Sequence, residues 1–196
     1  GVAFHERAGA VVDRLARDRH IVGVHHPVDE AQAHPFGVEP GLPGDDGAIG
    51  ALQARGSNWA SITVAGNRDG VIGAGANPFA APTGEHLGFW QHLRAAGFLT
   101  GSAADTGAAA LAKNAFGGVT GVASLTTQLG SFNSRVVCMS QVPGKGATAL
   151  DNQLDDGRPG TGTVRATQQA GAGNTAPGAV AAAYSEDQRY TVCTTF

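Results

Sequence analysis

The stretch "VVCMSQVPGKGATALDNQLDDGRPGTGTVRA", residues 136–166, contains the pattern that decides the fold. Over 136–140 the chain reads as a strand, with Val136, Cys138 and Ser140 on one side and Val137 and Met139 on the other. Leu150 and Leu154 then lie four residues apart, and Gly157 follows as a left-handed cap, so we expect a short helix near 147–156. Because alternation returns over 161–168, the stretch predicts a strand, a helix and a second strand.

The predicted helix has an unfavourable, acidic C-terminal end. Asp151 and Asp155 are like charges four residues apart, and Asp155 and Asp156 lie near the negative end of the helix dipole. These carboxylates need cationic partners. We favour an ion-pair network with Arg158 and Arg165, and a calcium ion is the alternative.

A second turn is also rich in oxygen ligands. The tetrapeptide "NRDG" at 67–70, together with Asp45 and Asp46, offers carboxylate and amide oxygens of the kind that calcium takes. It is only half of an EF-hand loop, since Ala76 occupies the position of the bidentate Glu. No cofactor other than calcium is expected, and its candidate ligands are Asn67, Asp69, Asp155 and Asp156.

The clearest helix lies near 85–97. Phe89 and Trp90 belong to its apolar face, and Gly97 is the expected end. We interpret Phe89 and Trp90 as core residues packed on a sheet, and an exposed aromatic platform for sugars is the alternative. His86 and His92 are six residues apart and are expected at the surface.

Four segments have strand patterns, and together with the helices they predict an α+β fold. The strands are expected at 119–129, 133–142, 161–168 and 188–196, in an antiparallel sheet. An N-terminal helical pattern at 6–20 completes the set.

The two cysteines, Cys138 and Cys193, both fall in predicted strands. A disulfide in an exported protein is favoured over two separate buried thiols, because there is no third cysteine and no CxxC motif.

Composition and motifs exclude several classes of function. The net charge of -3 and the low charged fraction of 15% argue against nucleic-acid binding, which needs a basic face. The chain has no GxSxG motif, phosphate-binding loop or HExxH motif, so we do not expect an enzyme. No apolar run approaches the roughly 20 residues that span a bilayer.

Several ordered motifs resemble those of type IV pilin-like proteins, the prepilin-type family that includes the pseudopilins. Besides residues 136–166 they are "LPGDD" (42–46), "GNRDGVIG" (66–73), "FWQHLRAAGFLTG" (89–101), "NAFGG" (114–118) and "YTVCTTF" (190–196). The resemblance implies a long N-terminal helix packed on a small antiparallel sheet, with the C-terminal cysteine bonded to an earlier strand.

The resemblance also implies how the chain is organised. Residues 41–196 correspond to the globular pilin-like domain, and residues 1–40 to an N-terminal helical segment that is atypical or truncated. The apolar, membrane-spanning half of a pilin helix is not found, and Pro27 and Pro35 interrupt the helical pattern. Contact with a membrane is expected only through that missing helix.

By this resemblance the chain is a structural subunit of a bacterial type IV pilus-like filament for adhesion or motility. Its partners would be other pilin subunits and the pilus or type II secretion assembly machinery. It would be anchored in the inner membrane before assembly and then lie outside the cell or in the periplasm. The alternatives are a type II secretion pseudopilin and a secreted glycan- or surface-binding module that uses Trp59 and Trp90.

Overall fold

The computed structural model describes residues 41–73 and 77–196. The predicted helical segment at 1–40, with its packing on the sheet, lies outside these residues. Within the described part of the chain, the helices are α1 (Ile49–Gln53), α2 (Gly84–Ala95) and α3 (Gly144–Leu154), with short helical turns at Ser57–Trp59, Gly107–Ala110 and Gln128–Ser131. No helix among the described residues is both long and apolar enough to cross a membrane.

Five antiparallel strands form one sheet in the order β1-β2-β3-β5-β4. The strands are β1 (Ala112–Lys113), β2 (Val119–Leu125), β3 (Ser134–Pro143), β4 (Val164–Gln168) and β5 (Arg189–Thr195). The α+β class and the four predicted strands are therefore confirmed. The two-residue β1 was not predicted, because it is too short to have an alternation pattern of its own.

Both long helices cover the same face of the sheet. Helix α2 packs there through Phe89, Trp90 and Leu93, which cluster with Val122 of β2. Helix α3 packs through Ala147 against residues of β4 and β5 that include Val192, which has the same sheet orientation as Val122. Phe89 and Trp90 are only 1% and 2% exposed, so their prediction as core is confirmed and the exposed platform is wrong.

The opposite face of the sheet contains the disulfide. Cys138 of β3 and Cys193 of β5 are direct cross-strand partners, and their sulfurs are bonded at 2.07 Å. Phe79, Leu129 and Phe132 pack with them from segments outside the sheet, and neither cysteine is exposed to solvent. The predicted disulfide is confirmed, and it belongs to the core.

Helix α3 begins three residues before its predicted start and ends two before its predicted end. It begins at Gly144. Glycine has a poor helix propensity, but this position has no room for a side chain, because a Cβ there would lie 1.8 Å from the carbonyl oxygen of Ser185. It ends at Leu154, since Asp155 leaves helical geometry with φ -153° and ψ -139°. Gly157 is left-handed but lies in the following loop, so its predicted role as the cap is wrong.

Removing the disulfide should strongly destabilise the domain. The bond closes a loop across a sequence separation of 55 residues, for which the chain-entropy account gives roughly 3 to 5 kcal/mol. The double variant Cys138→Ala, Cys193→Ala should lose about this much free energy of unfolding in urea titrations. Intact mass after alkylation under denaturing conditions is the control, and two thiols labelled without reductant would contradict the claim.

Candidate functional site

Two groups of three carboxylates converge where loops meet the long helices. Within each group the ligand oxygens all lie within 4.8 Å of one another. The turn cluster consists of Asp45, Asp69 and Glu85, and the helix-end cluster consists of Asp151, Asp155 and Asp156. The sequence indicated every member except Glu85, which joins the turn cluster only because α2 begins beside that loop.

Asp45 is the organising residue of the turn cluster. It is 2% exposed, and its carboxylate accepts the backbone N–H groups of Asn67, Arg68 and Gly70, the last at 2.7 Å. Arg68 adopts a left-handed φ of 66°, which turns consecutive N–H groups toward the carboxylate. The buried charge is thus stabilised by peptide dipoles.

The other two carboxylates are oriented by the same loop. Asp69 accepts the backbone N–H of Val71 at 2.8 Å, and Glu85 accepts that of Gly73 at 3.0 Å. Asn67 is not one of the converging ligands, because its side-chain amide donates to Asp69 at 3.0 Å and so positions it. Asp69 and Glu85 keep unused lone pairs, and the three like charges fit a divalent cation with oxygen ligands.

Next to this cluster, Asp46 forms ion pairs with arginines that the sequence did not predict. The carboxylate is 4% exposed and lies 2.6 Å from Nη2 of Arg55 and 3.8 Å from Nη2 of Arg68. It also accepts the backbone N–H of Gly41 at 2.7 Å. Both arginines are thus partners of Asp46, and none of the ion pairs among the described residues joins either of them to the turn cluster.

At the helix end, backbone amides and hydroxyls compensate the carboxylates. Asp155 accepts the backbone N–H groups of Thr163 and Val164, the latter at 2.9 Å. Asp156 accepts the backbone N–H of Arg158 at 2.9 Å and the Thr161 hydroxyl at 2.5 Å, and this hydroxyl is the main reason that the pKa of Asp156 is lowered. The carboxylates therefore terminate α3 by binding the next loop.

The predicted ion pairs of Asp155 and Asp156 with Arg158 and Arg165 are not formed. Arg165 instead donates to the carbonyl of Leu129 at 2.9 Å, and its guanidinium lies 4.5 Å from the centre of the Phe132 ring. No ion pair within 41–73 or 77–196 joins these aspartates to either arginine. The prediction fails because β4 turns Arg165 toward the disulfide face of the sheet, opposite α3.

Asp151 is the most deeply buried member of the helix-end cluster. It has no solvent exposure, and it accepts the Tyr184 hydroxyl at 2.6 Å and the backbone N–H of Gly157 at 3.0 Å. Burial raises the pKa of Asp151 and, with the neighbouring carboxylate, raises that of Tyr184 as well. Tyr184 therefore stays protonated and continues to donate to Asp151.

His92, expected at the surface, is instead buried, and its neutral ring joins α2 to the backbone of Gly44 and Val64. It is 3% exposed, its Nδ1 accepts the backbone N–H of Gly44 at 2.9 Å, and its Nε2 lies 2.7 Å from the carbonyl oxygen of Val64. Only the neutral Nε2–H tautomer satisfies both contacts. Burial lowers its pKa below the usual value, which matches this requirement.

Protonation of His92 should make the domain less stable in acid. Since its folded-state pKa is lowered, the unfolded chain binds more protons than the folded chain just below the usual value of about 6.5. The free energy of unfolding should therefore fall as the pH falls through this window. Urea unfolding near pH 7.5 and near pH 5.5 tests this, and His92→Gln should reduce the difference. An unchanged pH dependence in the variant would contradict this role of His92. His86, whose pKa is also lowered, would then account for the effect.

Calcium should stabilise the domain through the turn cluster. A ligand that binds only the folded state raises the melting temperature, so calcium should raise it by a few degrees over the same sample in chelator. Asp69→Asn should abolish this rise. The matched control Asp156→Asn, in the helix-end cluster, should keep it. The absence of a calcium effect in the unaltered chain would contradict a calcium site in the turn cluster.

Comparisons with models of protein families, with curated proteins and with solved structures found no match to this chain.

Proposed function

We propose that the chain is the globular domain of a type IV pilin-like filament subunit. The main support is the position of β5, which is central in the sheet, between β3 and β4, and is covalently joined to β3 through Cys193. This is the arrangement expected from the motif resemblance, in which the C-terminal cysteine is bonded to an earlier strand.

A filament subunit must keep its fold under mechanical load outside the cytoplasm. Tension on the sheet acts first on backbone hydrogen bonds, and a disulfide between neighbouring strands prevents their separation. The cysteines are fully buried, so external reductants cannot reach the bond without local unfolding. The proposed role is structural, and the subunit catalyses no reaction.

The partners follow from this role. Other pilin subunits would contact the domain laterally, and the assembly machinery would extract it from the inner membrane through an N-terminal helix. Nucleic acid is not a proposed partner, because the net charge is -3. We also propose that the turn cluster binds a structural calcium ion, which the melting experiment above tests.

A periplasmic pseudopilus of type II secretion is the closest alternative, since its subunits share the same architecture. A secreted binding module that uses Trp59 and Trp90 has less support than the sequence suggested. Trp90 is in the core, and Trp59 is half-buried with Arg55 placed 5.0 Å from the centre of its ring.

Tagging the gene in its own bacterium tests the filament proposal. Immunogold electron microscopy should place the tagged protein along sheared surface filaments. Deletion of the assembly ATPase should remove it from the sheared fraction and leave it in the inner membrane. The same strain with a tagged periplasmic protein is the control for cell lysis.

Two other outcomes assign the alternatives. Loss of a secreted enzyme from the medium, without loss of surface filaments, would identify a pseudopilin. Free protein in the medium that does not depend on the ATPase would contradict a filament subunit and favour a secreted module.

A further inference from the structure

A polar groove lies beside the irregular part of β3, and its lining includes no residue of either carboxylate cluster. Its volume is about 390 Å³, within the range of small-ligand pockets, roughly 300 to 1,000 Å³. Its lining includes Phe116, Gly117, Gln141, Gly173, Asn174 and Arg189. Three of these side chains are polar, and one is aromatic.

A bulge in β3 builds one wall of the groove. The pairing of β3 with β5 shifts between Met139 and Val142, and Gln141 within this bulge has a left-handed φ of 61°. Its side-chain amide donates to the carbonyl of Ala172 at 2.6 Å and so fixes the facing loop. Bulges and strained residues of this kind often orient side chains at binding sites.

Asn114 fixes the segment that contributes Phe116 and Gly117 to the groove lining. Its side-chain oxygen accepts the backbone N–H groups of Phe116 at 2.9 Å and Gly118 at 3.1 Å, and its amide donates to the carbonyl of Ser140 at 2.8 Å. This network closes the loop before β2 against β3. The groove is therefore preorganised on both sides, which reduces the entropy cost of binding.

Arg189 gives the groove a positive charge. Its Nη1 donates to the carbonyl of Gln141 at 3.0 Å, which orients the guanidinium and leaves its other N–H groups for a ligand. None of the ion pairs found in the described residues includes Arg189. A planar guanidinium without a carboxylate partner is suited to bidentate binding of a ligand carboxylate.

Asn174 and Phe116 supply the remaining contacts. The Asn174 side-chain oxygen accepts the Ser140 hydroxyl at 2.7 Å, so its amide N–H groups are left as donors to ligand hydroxyls. Phe116 packs one part of its ring over Gly146, where an added Cβ would lie 3.2 Å from the ring, and another part lines the groove. An immobilised ring of this kind can stack on the apolar face of a sugar.

We propose that this groove binds a uronic-acid unit of an acidic polysaccharide. Arg189 binds the carboxylate, Asn174 donates to a hydroxyl, and Phe116 packs against the C–H face of the ring. The proposal does not depend on the filament assignment, because a free secreted module would present the same groove. Nucleic acid is a poorer occupant, since it would need a wider basic surface around the groove.

Calorimetric titration of the full chain with defined oligosaccharides tests the proposal. The probes are a tetramer of galacturonic acid, the neutral galactose tetramer and free galacturonate. The acidic tetramer should bind about tenfold more tightly than the neutral one, and Arg189→Gln should remove this preference. The matched control is Arg158→Gln, which removes an exposed arginine outside the groove and should have no effect.

The variant Phe116→Leu separates sugar binding from simple attraction of anions. It should weaken the tetramers several-fold and leave the weak binding of chloride or acetate unchanged, with the melting temperature measured as a check on folding. Equal affinity for acidic and neutral tetramers, no binding of the acidic tetramer at millimolar concentration, or an equal effect of Arg158→Gln would each overturn the proposal.

Discussion

The structure depends on the pairing of β5, the last strand along the chain, between β3 and β4. Cys193 of β5 faces Cys138 on one side and Arg165 on the other, so both edges of β5 are hydrogen-bonded. Tyr190 and Val192 complete the apolar cluster beneath α3. Because these contacts join distant parts of the sequence, the sheet is complete only when β5 has paired with both neighbours, and the disulfide then links β5 covalently to β3.

Acidic side chains organise the loops that surround this sheet. The described loops contain many glycines and little regular structure, so their N–H groups need acceptors that strands and helices would otherwise provide. Asp45 serves this purpose for the loop 66–70, and Asp155 serves it for the chain entering β4. The carboxylates that suggested calcium or arginine partners in the sequence are therefore structural acceptors first. A cation at the turn cluster would use only their remaining lone pairs.

The sequence predicts those features whose cause is local. Helix α2 is recognisable from the spacing of Phe89, Trp90 and Leu93, and β3 is recognisable from alternation. The start of α3 at Gly144 and the burial of His92 were not predicted. Both depend on residues that are distant in sequence, Ser185 beside Gly144 and Gly44 beside His92, which approach them only in the folded chain. Arg165 was assigned to the wrong face, because sequence proximity to Asp155 does not show which way a strand turns its side chains.

Forces on the proposed filament subunit would enter the domain at Gly41, where residues 1–40 join the described part of the chain. The Gly41 N–H is held by Asp46, which is paired with Arg55 at the end of α1. Two residues before Asp46, the Gly44 N–H is bound by His92 in the last turn of α2, and α2 packs through Phe89 and Trp90 on the sheet. In the proposed filament, a load at Gly41 would pass through these buried polar contacts to α2 and from there to a sheet in which β5 is covalently joined to β3. The buried charge of Asp46 and the neutral state of His92 are consequently part of the same mechanical connection. Acid would weaken this connection at the histidine while leaving the disulfide intact.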